Sequence, residues 1–198
     1  MEKTPTLIIT HHKSGYEFLN QVLGKHPRIS ANHTGFLYGH PIDLLKTSKI
    51  IEEQNITNRF RQLFADTLLY NHTFTCPALY KLCKFIYLVR SPEAAISEMV
   101  ASKQYEPDRA VNYYRFRLQR LAQMAKETPG AIMLTWEDLN AEGFRLIDNY
   151  LGLKMPLNIR NEQVSREFFY EIPENLLRPA EKAYEKYTKR MRQWLKTT

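Results

Sequence analysis

The chain is poor in the residues that staple or punctuate small proteins. Cys76 and Cys83 are its two cysteines, with no CxxC pair and no Cys/His cluster, which argues against a disulfide scaffold and a structural zinc site. They read as small thiols in a reducing compartment. Seven glycines among 198 residues argue against a many-turned β-sandwich. No apolar stretch approaches the roughly 18 residues needed to cross a bilayer. The polar opening Met1–Pro5 does not read as a signal peptide, so a cytoplasmic location is expected. The sequons at Asn32, Asn55 and Asn71 are then chance occurrences. There is no internal repeat, low-complexity tract or evident linker.

What remains is ordinary globular composition, 43% hydrophobic and 25% charged, in a chain long enough to bury a core without staples. One domain spanning 1–198 is expected, with 173–198 a C-terminal helix packed on it. The 28 Lys+Arg against 21 Asp+Glu leave a formal charge of +7. That balance favours anionic partners: nucleotides, phosphate, sulfate, nucleic acid or a membrane face.

Residues 7–10, Leu-Ile-Ile-Thr, form a short buried-strand run. A Gly-containing turn follows, then an amphipathic stretch carrying Phe18, Leu19, Val22 and Leu23. A second strand is expected near Arg28–Ala31, and 41–70 reads as mostly helical. Residues 84–89, Lys-Phe-Ile-Tyr-Leu-Val, give the strongest strand signal. Pro92 opens a helix to Ser102, and a longer one follows Pro107 with Val111, Tyr114, Leu118, Leu121 and Met124 along one side. Arg109, Arg115, Arg117, Arg120 and Lys126 are expected largely elsewhere around it. A buried strand at Ala131–Thr135 leads to a helix ending near Gly152, where Glu137 and Asp138 read as capping groups. The last helix carries Leu177, Ala180, Tyr184, Tyr187, Met191 and Trp194 in a stripe that could serve a homodimer. Strands separated by helices imply an α/β domain with a mainly parallel central sheet flanked by helices in three layers. Ligands of such sheets bind at the carboxyl ends of the strands, so the site is expected in the loops after 7–10 and 84–89.

Two polar motifs occupy those loops. Thr10-His11-His12-Lys13-Ser14-Gly15-Tyr16-Glu17-Phe18 would expose backbone N–H groups at a helix N-terminus, a phosphate or sulfate cradle. Its spacing is not that of a Walker A loop, which disfavours a nucleotide kinase. Arg90 ends the strongest strand and offers a planar fork to an anion, and the Ser97 hydroxyl could cap the same anion. Together they suggest a ligand with two separated anionic groups.

These residues resemble the sulfotransferase family that uses 3′-phosphoadenosine 5′-phosphosulfate, which would give the domain a P-loop-like fold. T-H-H-K-S-G-Y-E-F is similar to the family's 5′-phosphosulfate loop. Leu23-Gly24-Lys25-His26-Pro27-Arg28-Ile29 is similar to its L-x-x-H-P-x-I segment, and Tyr87–Ser97 to its 3′-phosphate strand–loop–helix. Trp136-Glu137-Asp138-Leu139 with Tyr150-Leu151-Gly152-Leu153 is similar to its Y-E-D-L…F-L-G-L segment. The resemblance spans about 7–153. It implies that His12, Lys13, Ser14, Gly15, Tyr16, Glu17, Phe18, Arg90, Ser97 and Trp136 bind the donor. Lys13 would stabilise the bridging oxygen, and Phe18 and Trp136 would contact adenine. Adenosine 3′,5′-bisphosphate would be the product, a hydroxyl or amine the acceptor, and no metal would be needed. His33, then His72, then His40 are candidates for the general base.

The departures are specific. Tyr16 and Glu17 stand where family members usually carry Thr or Ser, the Arg90-to-Ser97 interval is one residue short, and a late Arg-Lys-Gly element is absent. A relative that binds a nucleotide or anion but has lost transfer therefore stays open. A nucleic-acid-binding module is disfavoured because no motif for one is present.

Overall fold

The computed structural model describes residues 4–32, 67–72, 84–128, 130–153 and 170–195. Their elements follow the order β1 Thr4–Thr10, α1 Tyr16–Gly24, β2 Ile29–Asn32, β3 Thr67–His72, β4 Lys84–Val89, α2 Pro92–Ala101, α3 Pro107–Glu127, β5 Ile132–Thr135, α4 Ala141–Leu151 and α5 Glu174–Leu195. A short 3₁₀ turn, Trp136–Asp138, joins β5 to the approach of α4. The strands form one sheet in the order β2-β3-β1-β4-β5, and every pairing among them is parallel. This is an α/β architecture with helices on both faces.

Strand alternation decides which residue serves which face. Leu7, Ile9, Phe85, Tyr87 and Val89 point to one side and pack with α2, α3 and α5 through Ile96, Tyr114, Leu118 and Met191. Ile8, Ile86, Leu88 and Leu134 point to the other, against Leu19 and Leu23 of α1 and Phe144 and Ile147 of α4. Both faces are covered, which is why 7–10 and 84–89 are nearly continuous apolar runs rather than alternating ones. The Tyr87 hydroxyl remains satisfied inside the core, 2.7 Å from Thr128 Oγ1, which in turn donates to the Met124 carbonyl.

The two helices that leave the central strands diverge. α1, following β1, covers one face, while α2, following β4, covers the opposite one. A crevice therefore opens between the carboxyl ends of β1 and β4, the switch point at which open parallel sheets bind ligands.

Helix ends match local chemistry. Pro92 and Pro107 occupy first turns, where a missing N–H costs nothing. Asn140 Oδ1 accepts from Glu142 N and Gly143 N, and Thr135 and Asp138 form a reciprocal capping box. Gly152 closes α4 at φ 70°, a left-handed conformation suited to glycine.

Two expectations need correction. Residues 67–70, read as the end of a helical stretch, are strand, with β3 inserted between β1 and β2. A run as short as Thr-Leu-Leu-Tyr has no resolvable period, and sheet pairing decides its state. Residues 41–66 lie outside the described residues. Arg117 is the second. Expected away from the packed side of α3, it is 7% exposed, because it follows Tyr114 by three residues and so shares its face.

Leu88 lies in β4, an interior strand between β1 and β5, with no exposed surface. Leu88→Ala is expected to lower unfolding free energy by about 2–5 kcal/mol, read as a lower urea midpoint at unchanged slope.

Candidate functional site

The loop after β1 is built around two left-handed residues, Lys13 at φ 59° and Gly15 at φ 86°. Glycine adopts this conformation freely, whereas a lysine there is unusual and must be held by its surroundings. A side chain at Gly15 would also run into the Trp136 ring. Gly15 is the N-cap of α1 and supplies no side-chain cap, which suits the start of this helix to an external anion.

Three neighbours on α3 brace the loops after β1 and β4. Tyr113 Oη accepts from His12 N at 3.2 Å, the Tyr114 hydroxyl donates to the Arg90 carbonyl at 2.6 Å, and Arg117 Nε donates to the Thr10 carbonyl at 2.9 Å. Burial lowers the Arg117 pKa to about 10, so this guanidinium keeps its positive charge at neutral pH beneath the crevice.

His11 ties the two loops together. Its Nδ1 donates to the His12 carbonyl at 2.7 Å, and its Nε2 accepts from Arg90 N at 3.0 Å. That pair of bonds requires the neutral Nδ1–H tautomer. Burial, helped by the charges of Arg117 and Arg90, lowers its pKa to about 4 against the pull of the His12 carbonyl. His12 is half-buried, with Nδ1 3.2 Å from Tyr105 Oη. Burial, then the charges of Arg117 and Lys13, lower its pKa.

Above this floor lies a cavity of about 160 Å³ lined by Lys13, Gly15, Tyr16, Glu17, Phe18, Gln21, Arg90, Glu98 and Trp136. Phe18 and Trp136 meet edge to face at 5.3 Å, and the Arg90 guanidinium lies 5.4 Å from the Trp136 ring. Glu98 of α2 contacts both cations, with Oε2 2.6 Å from Arg90 Nη1 and Oε1 3.6 Å from Lys13 Nζ. Arg90 Nη1 also donates to the Lys13 carbonyl at 3.2 Å. A larger groove of about 900 Å³ lies between α3 and α5, but none of the expected site residues lines it.

The structure thus brings together Lys13, Gly15, Tyr16, Glu17, Phe18, Arg90 and Trp136. His12 faces the Tyr105–Tyr113 pair instead. Ser14 is fully buried and its hydroxyl bonds Thr10. Ser97 is 4% exposed, and its hydroxyl donates to the Tyr170 carbonyl and accepts from Tyr170 N. His72 closes β3 in register with Ile9, at the same carboxyl edge of the sheet. His33 and His40 lie outside the described residues. Sequence reasoning missed Glu98, His11, Tyr114 and Arg117. The i, i+3 spacing of Tyr114 and Arg117 could have shown that the two share a face. The one-residue shortfall of the Arg90-to-Ser97 interval could have pointed to Glu98.

No family model and no curated protein matches the chain. Among solved structures, one described as the crystal structure of retinol dehydratase in complex with androsterone and inactive cofactor PAP is similar over 96% of this chain and 67% of its own, at 12% identity and a TM-score of 0.43. Likeness of that degree carries no functional conclusion by itself. Among the described residues no group of three or more His, Cys, Asp or Glu could hold a metal ion, and no helix is long and apolar enough to cross a membrane.

His11 makes the fold acid-sensitive with a defined sign. Its folded pKa lies near 4 and its unfolded value near 6.5, so unfolding takes up a proton between them. The stabilisation is complete above about pH 6.5 and is lost as pH falls toward 4. Urea unfolding across pH 4–7.5 should show wild type losing up to about 1.4 kcal/mol per pH unit more than His11→Asn. Parallel profiles would refute the assignment.

Proposed function

We propose that the chain is a sulfotransferase that moves a sulfuryl group from 3′-phosphoadenosine 5′-phosphosulfate to a hydroxyl or amine acceptor. The observation that carries this reading is that Lys13 and Arg90, from loops after two adjacent parallel strands, line one cavity together with Phe18 and Trp136. Two cations beside aromatic rings in one cavity suit a nucleotide bearing two anionic groups. Arg90 Nε is buried with no hydrogen-bond partner among the described residues, and an anion would supply one.

In this reading the backbone N–H groups of 13–17 hold the 5′-phosphosulfate. The acceptor oxygen or nitrogen attacks sulfur and the bridging S–O bond breaks. Its electron pair goes to the 5′-phosphate oxygen, where Lys13 offsets the developing charge. Arg90, with Ser97 adjusting from its present bond to Tyr170, takes the 3′-phosphate, and Phe18 and Trp136 take the adenine. The acceptor's proton passes to a base, for which His33 and His72 are the candidates. The whole chain, 1–198, acts as one cytoplasmic domain, and no metal takes part.

A second reading is anion binding without transfer. Tyr16 and Glu17 favour it, since both line the cavity that the donor would enter and a carboxylate there opposes a phosphosulfate.

Lys13→Ala should retain the circular dichroism and unfolding midpoint of wild type and lose at least about a hundredfold in sulfate transfer. Arg90→Ala should weaken calorimetric binding of adenosine 3′,5′-bisphosphate by about tenfold or more. Binding without donor consumption across hydroxyl and amine acceptors would select the second reading. Undiminished transfer by Lys13→Ala would remove its catalytic role.

A further inference from the structure

The Glu98 carboxylate occupies the place in the cavity where a bound anion would bridge Lys13 and Arg90. Its contacts are largely shielded from water: the side chains of Lys13, Arg90 and Glu98 are 27%, 13% and 16% exposed. Without Glu98, two cations would face each other above the buried Arg117, and the neutral His11 offers no compensation. The carboxylate removes that repulsion when the site has no ligand. It also stands in the way. A phosphate or sulfate bound between the same cations with Glu98 unmoved would place like charges in one small, partly desolvated space.

The pairing has the geometry of something displaceable. Glu98 contacts Arg90 through Nη1, which is shared with the Lys13 carbonyl, and Nε has no partner among the described residues. A two-pronged carboxylate–guanidinium pair would use the fork fully; this one uses a single prong. The cavity, at about 160 Å³, is smaller than the roughly 300–1,000 Å³ of most small-molecule sites, and Glu98 is one of the side chains that narrow it.

We propose that Glu98 is an internal anion that a ligand must displace from Lys13 and Arg90, and that it sets the charge selectivity of the site. Ligands that bring a dianionic group to Arg90 replace the carboxylate; ligands with only a 5′-phosphate leave the Arg90 pair intact and gain less. The inference rests on the proposed donor site only in taking the cavity to be the anion site.

The test is calorimetry on wild type and Glu98→Gln with adenosine 3′,5′-bisphosphate, adenosine 5′-monophosphate and inorganic pyrophosphate. Glu98→Gln keeps the shape and removes the charge. It should bind the bisphosphate and pyrophosphate about tenfold tighter than wild type, and the monophosphate less than about threefold tighter. If neither protein binds the bisphosphate but the variant binds pyrophosphate about tenfold tighter, the donor assignment fails and the role of Glu98 stands. Equal or weaker bisphosphate binding by the variant overturns that role and leaves the donor assignment intact, making Glu98 at most a positioning group. Binding of no probe to either protein overturns both. Should the variant fail to fold, the wild-type crystal structure with the bisphosphate decides. Glu98 swung clear of Arg90 supports displacement, and Glu98 still bonded to Arg90 refutes it.

Discussion

The crevice depends on one uncharged imidazole. Parallel strands β1 and β4 lie side by side, but the loops that leave them feed helices on opposite faces of the sheet, and the ladder hydrogen bonds stop where the strands do. His11 continues the connection one step further by donating to the β1 loop at the His12 carbonyl and accepting from the β4 loop at Arg90 N. A protonated ring could not accept from Arg90 N, so loop-to-loop coupling requires neutrality. Burial beside Arg117 and Arg90 enforces it. Burial first, then the charges of Arg117 and Arg90, therefore keep this link between the loops uncharged.

α3 performs the complementary task. Tyr113, Tyr114 and Arg117 hold His12, Arg90 and Thr10 by main-chain atoms, so these loop contacts do not use Lys13 Nζ or the Arg90 guanidinium. Both cations meet Glu98 above. The arrangement separates the α3 groups that bond the main chain of the loops from the cations that line the cavity. Arg117 belongs to the first class although it is a cation, and its pKa near 10 is the trace of the desolvation it bears.

Much of this was legible in the sequence because it follows from one-dimensional patterns. Apolar runs fix β1 and β4, prolines fix the starts of α2 and α3, and a polar loop after each strand points to the carboxyl edge. The gathering of Lys13, Gly15, Phe18, Arg90 and Trp136 follows from that topology. What escaped is what depends on three-dimensional juxtaposition. Thr67–Tyr70 is too short to reveal its period, and it became strand because an edge of β1 was open to it. Arg117 looked like any solvated arginine until the Thr10 carbonyl appeared over it. Ser97 had the right residue type, yet its hydroxyl completes the bonding of Tyr170. The neighbouring Glu98, one position further along α2, points into the cavity instead. A one-residue step on a helix turns the side chain by about 100°, so a small uncertainty in spacing exchanges a hydroxyl for a carboxylate.

That exchange bears on the energetics of the whole site. A cavity with two cations and no counter-charge would hold an anion tightly, but the same repulsion would oppose closing the two loops when no ligand was present. A cavity with a fixed, fully bonded ion pair would fold readily and bind little. Lys13 held at a left-handed φ, Gly15 packed against the Trp136 ring, and a single-pronged Glu98–Arg90 contact lie between those extremes. The cost of the strained backbone is met by α3 and His11, which act whether or not a ligand is bound. The charge repulsion is met by Glu98, which can act only until an anion arrives. Stability without a ligand and affinity for one are thus assigned to different residues, and the residue that links them is the carboxylate on α2.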